Sequence, residues 1–341
     1  MNIKKIKLST KDKSEIKKIF KLIGIIGFAA IIIVGYIVIS RWVLYFENKD
    51  KILGQYKSLV NINEEYKSVS GQNRKNVEEF DIEKYGLPFK NFSSILSPGG
   101  NCEGMTYYVL KNFLSERKEI GNLSISDSDS KVLFEDGNIK ADLSKVSGDI
   151  DYESVLKESF LLKRDKDKED GNYSSDTKFE SKELGELLSY ISNLHSNKDD
   201  LNYSVYESIP YYSSNIYAIT NDIDKYRRSV NPQIITDLID DNKPVMIGLR
   251  ADYVGGHALL AYGYEKIDKN NVKVYVYDTN LPFKKEYYND YNNIYMLFTK
   301  ELDSKNWSYI YRPTIEGKTI YSSYNSIIPG STLSVYYNYE E

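Results

Sequence analysis

Residues 257–264, His-Ala-Leu-Leu-Ala-Tyr-Gly-Tyr, and residues 272–278, Val-Lys-Val-Tyr-Val-Tyr-Asp, decide how the C-terminal half of this chain folds. Both runs are aliphatic and aromatic, and the seven residues between them, Glu265 to Asn271, are mostly polar. Two β-prone runs around a short polar link predict an antiparallel hairpin. Partners in such a hairpin keep a constant sum of residue numbers, so a pairing of His257 with Asp278 centres the turn between Ile267 and Asp268, inside that link. The histidine opening one strand and the aspartate ending the next are therefore expected within a residue or two of each other, in hydrogen-bonding reach.

Working outward, Pro232–Asp241 carries Ile234, Ile235, Leu238 and Ile239 at amphipathic-helix spacing, and Pro244 to Leu249 reads as a strand leading into His257. Further strands are expected in Ile294–Phe298 and Trp307–Tyr311. Upstream, Ser97-Pro98-Gly99-Gly100 is a turn signal. It precedes Cys102, Met105, Thr106, Val109, Leu110, Phe113 and Leu114, the pattern of a helix with one buried face. The expected class is α+β. Residues 120–230 alternate acidic and basic runs and read as a charged insertion of surface loops around a few helices.

Leu22–Ser40 runs for 19 residues without a charge, and at ~1.5 Å per residue it nearly crosses a hydrocarbon core of roughly 30 Å. It is longer than the apolar core of a signal peptide and has no small-residue cleavage site, so it reads as an uncleaved transmembrane helix. Eight lysines precede it, against Arg41, Lys49 and Lys51 just beyond, which predicts a cytoplasmic N-terminus and an extracytoplasmic domain. The expected organisation is a basic tail over 1–21, a membrane helix and interface over 22–46, a juxtamembrane stalk over 47–84, and a folded domain over 85–341.

The chain has 45 basic and 49 acidic residues, of which residues 1–41 take nine and two, leaving 36 basic and 47 acidic in the remainder. That balance has no electrostatic footprint for nucleic acid. One cysteine and two histidines do not make a thiolate or imidazole cage, and no phosphate-binding glycine motif is present, so neither a metal nor another cofactor is expected.

Outside the cytoplasm a single cysteine has no intrachain disulfide partner, and its thiol is open to oxidation. Cys102 falls at the first turn of its expected helix, where unpaired N–H groups and the helix dipole favour an anion, and thiolate is the nucleophilic form of cysteine. Gly99 and Gly100 let the chain turn tightly before it and leave room for a substrate carbonyl. His257, after Gly255 and Gly256, is the candidate base, and Asp278 would fix its tautomer and stabilise its cation. His195 sits in a polar Asn-Leu-His-Ser-Asn stretch and reads as a surface residue.

Asn101-Cys102-Glu103-Gly104-Met105 heading a helix, Gly255-Gly256-His257-Ala258-Leu259 opening a strand, and Tyr277-Asp278-Thr279-Asn280-Leu281-Pro282 closing the next resemble bacterial papain-like cysteine peptidases. The resemblance covers roughly residues 90–312, with 115–230 unassigned in detail. It implies a two-lobed fold, a Cys-bearing helix packed on an antiparallel sheet bearing His and Asp. It also implies amide hydrolysis through a thioester, with Cys102 attacking and His257 protonating the leaving group, on a protein, peptide or cell-wall peptide substrate. Gly100 and Gly256 would flank the substrate.

The sequence departs from that family at the oxyanion donor. No Gln lies between residues 74 and 232, and the position six before Cys102 is Leu96. Asn101 is the first candidate in its place, with Asn91, Ser93, Ser94 and Ser97 as alternatives beside the Cys102 N–H. Two other functions fit the same residues: a different Cys-dependent acyl transferase or cell-wall amidase, and a catalytically inactive binding or scaffold protein.

Overall fold

The computed structural model describes residues 10–70, 74–94, 96–97, 99–116, 118–121, 123–129, 153, 156–157, 178–196, 204–208, 231–251, 255–281, 288–300, 307–315, 317–319, 324–327 and 331–337. In chain order the elements are α1 (Thr10–Lys67), β1 (Arg74–Asn76), α2 (Ile82–Tyr85), α3 (Cys102–Lys111) with a π-helical turn at Asn112–Glu116, α4 (Lys182–Ser196), β2 (Ser204–Ser208) and α5 (Gln233–Asp240). There follow β3 (Val245–Ala251), β4 (Gly255–Lys266), β5 (Asn271–Asp278), α6 (Tyr288–Tyr291), β6 (Tyr295–Lys300), β7 (Trp307–Tyr311), β8 (Thr314–Ile315), β9 (Lys318–Thr319), β10 (Tyr324–Asn325) and β11 (Thr332–Tyr337). The protein is α+β, with a long apolar N-terminal helix and a mainly antiparallel architecture.

The main sheet has the strand order β10-β7-β6-β5-β4-β3-β11-β2, antiparallel throughout. β1 pairs with Gly263–Glu265 of β4, beyond the Gly255–Ala261 stretch that β3 occupies, so the two share one edge of the long strand. The β4–β5 hairpin is present as expected, and it contains a register shift. Val272 through Tyr275 pair with Lys266 through Gly263, and then Val276, Tyr277 and Asp278 pair with Ala261, Leu260 and Leu259. Tyr262 is the extra residue of the resulting bulge.

The core lies where α3, α4 and α5 cover the sheet. Met105, Val109 and Phe113, then Leu184, Leu188 and Ile191, then Ile235 and Ile239 meet Leu259, Val274 and Met296 in one buried cluster. Each such side chain contributes about 1.5–3 kcal/mol by leaving water. The i+3, i+7 and i+11 positions counted from Cys102 form the face that does this.

Three expectations are corrected. Residues 47–67 of the expected stalk are the end of α1, which runs unbroken through the apolar stretch and on to Lys67. From Arg41 onward one side of it is buried: Leu44, Tyr45, Ile52 and Leu59 form a second cluster with Leu156, Leu297, Ile310 and Ile327. The folded unit also begins before residue 84, because β1 is in the sheet. Within the charged insertion, α4 packs directly on α3 and β2 extends the sheet beside β11; residues 130–152, 158–177 and 209–230 lie outside the described residues. Among those described, α1 supplies one stretch long and apolar enough to cross a membrane.

Candidate functional site

Cys102 is the first residue of α3, and Asn101 before it closes the first turn, its carbonyl accepting the Met105 N–H at 2.9 Å. The turn that delivers Cys102 needs glycine at position 100, whose φ is +108° and where a Cβ would press on the Asn91 amide. The N–H groups of a first helical turn have no partner inside the helix. That of Gly104 points to His195 Nδ1 at 3.4 Å, while that of Cys102 makes no hydrogen bond among the described residues.

His195 is therefore no surface residue. It is half-buried on α4, where it meets the end of the Cys helix. Gly104 is the point of closest approach between the two helices, since a Cβ there would run into the backbone of Ile191 and His195. Its small size in Cys102-Glu103-Gly104 was the available sign of such a crossing.

Thr106, one turn along α3 and fully buried, donates its hydroxyl to the Ala258 carbonyl at 3.2 Å. That bond ties the Cys helix to the strand residue next to His257. The His257 ring sits between two partners. Its Nε2 is 2.7 Å from Asp278 Oδ1, and Cys102 lies near enough to help hold its charge. With Nε2 occupied by Asp278, Nδ1 is the nitrogen left for the sulfur. Burial by itself would strip the proton from His257. The Asp278 charge and hydrogen bond, with Cys102, override it, and the imidazole pKa is pushed up to about 10.

Asp278 is held from three directions. Besides His257, the Asn280 N–H donates to Oδ1 at 2.8 Å and the Tyr311 hydroxyl donates to Oδ2 at 2.6 Å. Tyr311 comes from β7, two strands away, and closes on Asp278 where β5 has run past Tyr275, its last partner in β6 opposite Tyr295. Tyr324 of β10 stacks on the His257 ring, with centroids 5.9 Å apart and planes at 29°. Neither tyrosine was identifiable as a site residue. Tyr311 ends a β-prone run as many strand residues do, and Tyr324 stands among polar residues with no periodicity around it.

Asn101 is fully buried, and one N–H of its side-chain amide donates to the Phe92 carbonyl at 2.7 Å, where it helps hold the turn. Asn91 is differently arranged. Its Oδ1 accepts the Asn101 N–H at 2.7 Å, which turns its NH2 the other way, and that NH2 donates no hydrogen bond among the described residues. Its backbone N–H is fixed to the carbonyl of Thr279, beside Asp278. Ser94 and Ser97 are buried and bonded within the turn. Gly256 is exposed at the head of β4, opposite Arg250.

Cys102, His257 and Asp278 are thus brought together, and all three are buried, at 8%, 5% and 1% exposure. Such a group can hold a thiolate against an imidazolium oriented by a carboxylate. Compared with models of known protein families, with curated proteins and with solved structures, the chain matches none.

Proposed function

We propose that this protein is a membrane-anchored, extracytoplasmic cysteine hydrolase of papain-like design, acting on an amide bond in a protein, peptide or cell-wall peptide. The observation that carries this reading is the buried His257–Asp278 pair at 2.7 Å, with Cys102 at a helix N-terminus near enough to bear on the imidazole's charge. His257 holds its proton to about pH 10, so a cationic partner for the thiolate is present across the neutral range.

In this reading the Cys102 thiolate adds to the carbonyl carbon, and the developing oxyanion takes the Cys102 N–H and the Asn91 NH2 as donors. The C–N bond breaks as His257 passes its proton to the leaving amine. Water then attacks the thioester carbonyl, giving its proton back to His257 and releasing the acid and the thiolate. Apart from α1, the anchoring is supported by the excess of lysine before Leu22, which favours a cytoplasmic N-terminus.

The experiment is alkylation of Cys102 by iodoacetamide at pH 6, compared with a free thiol. Faster labelling that depends on His257, together with peptide or muropeptide hydrolysis lost in Cys102→Ala, is expected. Absent labelling sinks the enzyme reading. The burial of all three residues, with Tyr324 over the imidazole, favours the second reading, a binding protein that keeps the array without turnover. It predicts slow labelling and no hydrolysis.

A further inference from the structure

The turns of α1 just past its uncharged stretch have two faces in two different surroundings. On one side Arg41, Leu44 and Tyr45 are buried in the folded unit. On the other, Val43 and Phe46 are 47% and 60% exposed and continue the apolar wall that runs from Ile19 to Ile39. Ser40 and Phe46 are separated by about 9 Å of helix axis, so the domain begins on one face before the apolar surface has ended on the other. The headgroup layer adds only about 5–7 Å to each side of a bilayer's hydrocarbon core. The first domain-buried turn of α1 falls within it.

A second segment runs beside the same turns. Glu153 pairs with Lys49 at 3.8 Å, and four residues on, the Lys157 ammonium lies 5.8 Å from the Trp42 ring. Between them Leu156 is fully buried in the α1 cluster. From Glu153 to Lys157 the chain therefore steps down α1 from the level of Lys49 to that of Trp42, setting an exposed lysine beside a tryptophan, the side chains suited to anionic headgroups and to the interface. At the other end of α1, Tyr66 bonds Asp268 in the β4–β5 turn at 3.0 Å, about 36 Å along the axis from Trp42.

We propose that the domain rides on the bilayer, with Trp42, Phe46 and Lys157 forming an edge seated in the phospholipid headgroup layer. This rests on reading Leu22–Ser40 as the membrane anchor. It also ties the candidate site to this helix: Tyr324, stacked on His257, is three residues from Ile327, which belongs to the cluster that α1 forms over Leu44–Leu59. Chains tethered to or emerging from the same membrane are then the substrates within reach.

The test uses the full chain with Cys102→Ser in phosphatidylcholine and phosphatidylglycerol vesicles, with a fluorophore on one introduced cysteine. Phe28→Cys reports the span, Lys157→Cys the edge and Lys269→Cys the distal hairpin turn. Acyl-chain nitroxide lipid should quench the label at 28, and headgroup nitroxide lipid should quench the label at 157 and leave that at 269 bright. In Trp307→Phe, which leaves Trp42 as the one tryptophan of the chain, Trp42 emission should be lost in brominated lipid. A quenched label at 28 with labels at 157 and 269 equally bright overturns the edge and leaves the anchor intact. An unquenched label at 28 overturns the anchor, and the edge with it.

Discussion

His257 Nε2 and Asp278 Oδ1 are 2.7 Å apart although the two residues are not cross-strand partners. Asp278 pairs with Leu259, two positions from His257, and side chains two apart on a strand share a face. This depends on the bulge at Tyr262. With the register of the hairpin's first four pairs continued unbroken, Asp278 would oppose Leu260, whose side chain points to the opposite face from His257. One extra residue in β4 puts carboxylate and imidazole on the same side of the sheet.

The charge on His257 makes stability depend on pH. Its folded pKa is raised above the ordinary 6.5, so its contribution is fully present below about pH 6.5 and is lost as pH climbs toward about 10. The stability advantage of the natural chain over His257→Gln should shrink across that window, measured by urea denaturation at a series of pH values. An advantage that grows with pH contradicts the assignment.

Removing the negative partner separates orientation from packing. Asp278→Asn should leave the fold intact but slow turnover by up to about 10⁴-fold, the scale seen when a triad's base is held in the wrong tautomer. Tyr311→Phe should cost about 1–3 kcal/mol, because a buried Asp278 oxygen loses its donor. Both should flatten the pH profile of Cys102 alkylation. A profile unchanged in both variants would mean that the carboxylate does not act through His257.

Asn91 is the side chain to test as oxyanion donor. Asn91→Asp keeps an acceptor for the Asn101 N–H and removes the NH2, so kcat should fall about 10²-fold or more with little change in alkylation rate. Asn101→Ala should act through stability, as the Phe92 carbonyl loses one of its two donors and keeps only the Asn101 N–H. Equal loss of kcat with unchanged stability in Asn101→Ala would reverse the two roles.

The packing of α1 on the sheet predicts that this helix is integral to the domain. Ile52 is 1% exposed, and Ile52→Ala should destabilise by about 2–5 kcal/mol. Thermal denaturation in detergent checks this, with the exposed Phe46→Ala as a near-neutral control. A neutral Ile52→Ala would detach the helix from the fold.

Much of the site was legible because its signals are local. A turn of glycines before an amphipathic run placed Cys102 at a helix start, and the polar link between two β-prone runs brought His257 near Asp278. The setting of Asn101 was not legible because its amide bonds back to the Phe92 carbonyl, nine residues earlier. His195 was misjudged because Gly104 and its partners on α4 are separated by about ninety residues, beyond any periodicity.

By itself the sequence determined the α+β class, the charge-free helix from Leu22 and the proximity of Cys102, His257 and Asp278 to their element ends. These follow from hydrophobic period and backbone preference, which neighbouring residues encode. Tertiary structure alone decided that α1 is packed on the sheet, that a bulge turns His257 to the face of Asp278, and that Tyr311, Tyr324 and His195 close around the site. These depend on burial between distant segments, where a side chain's role is set by the partner that desolvates it.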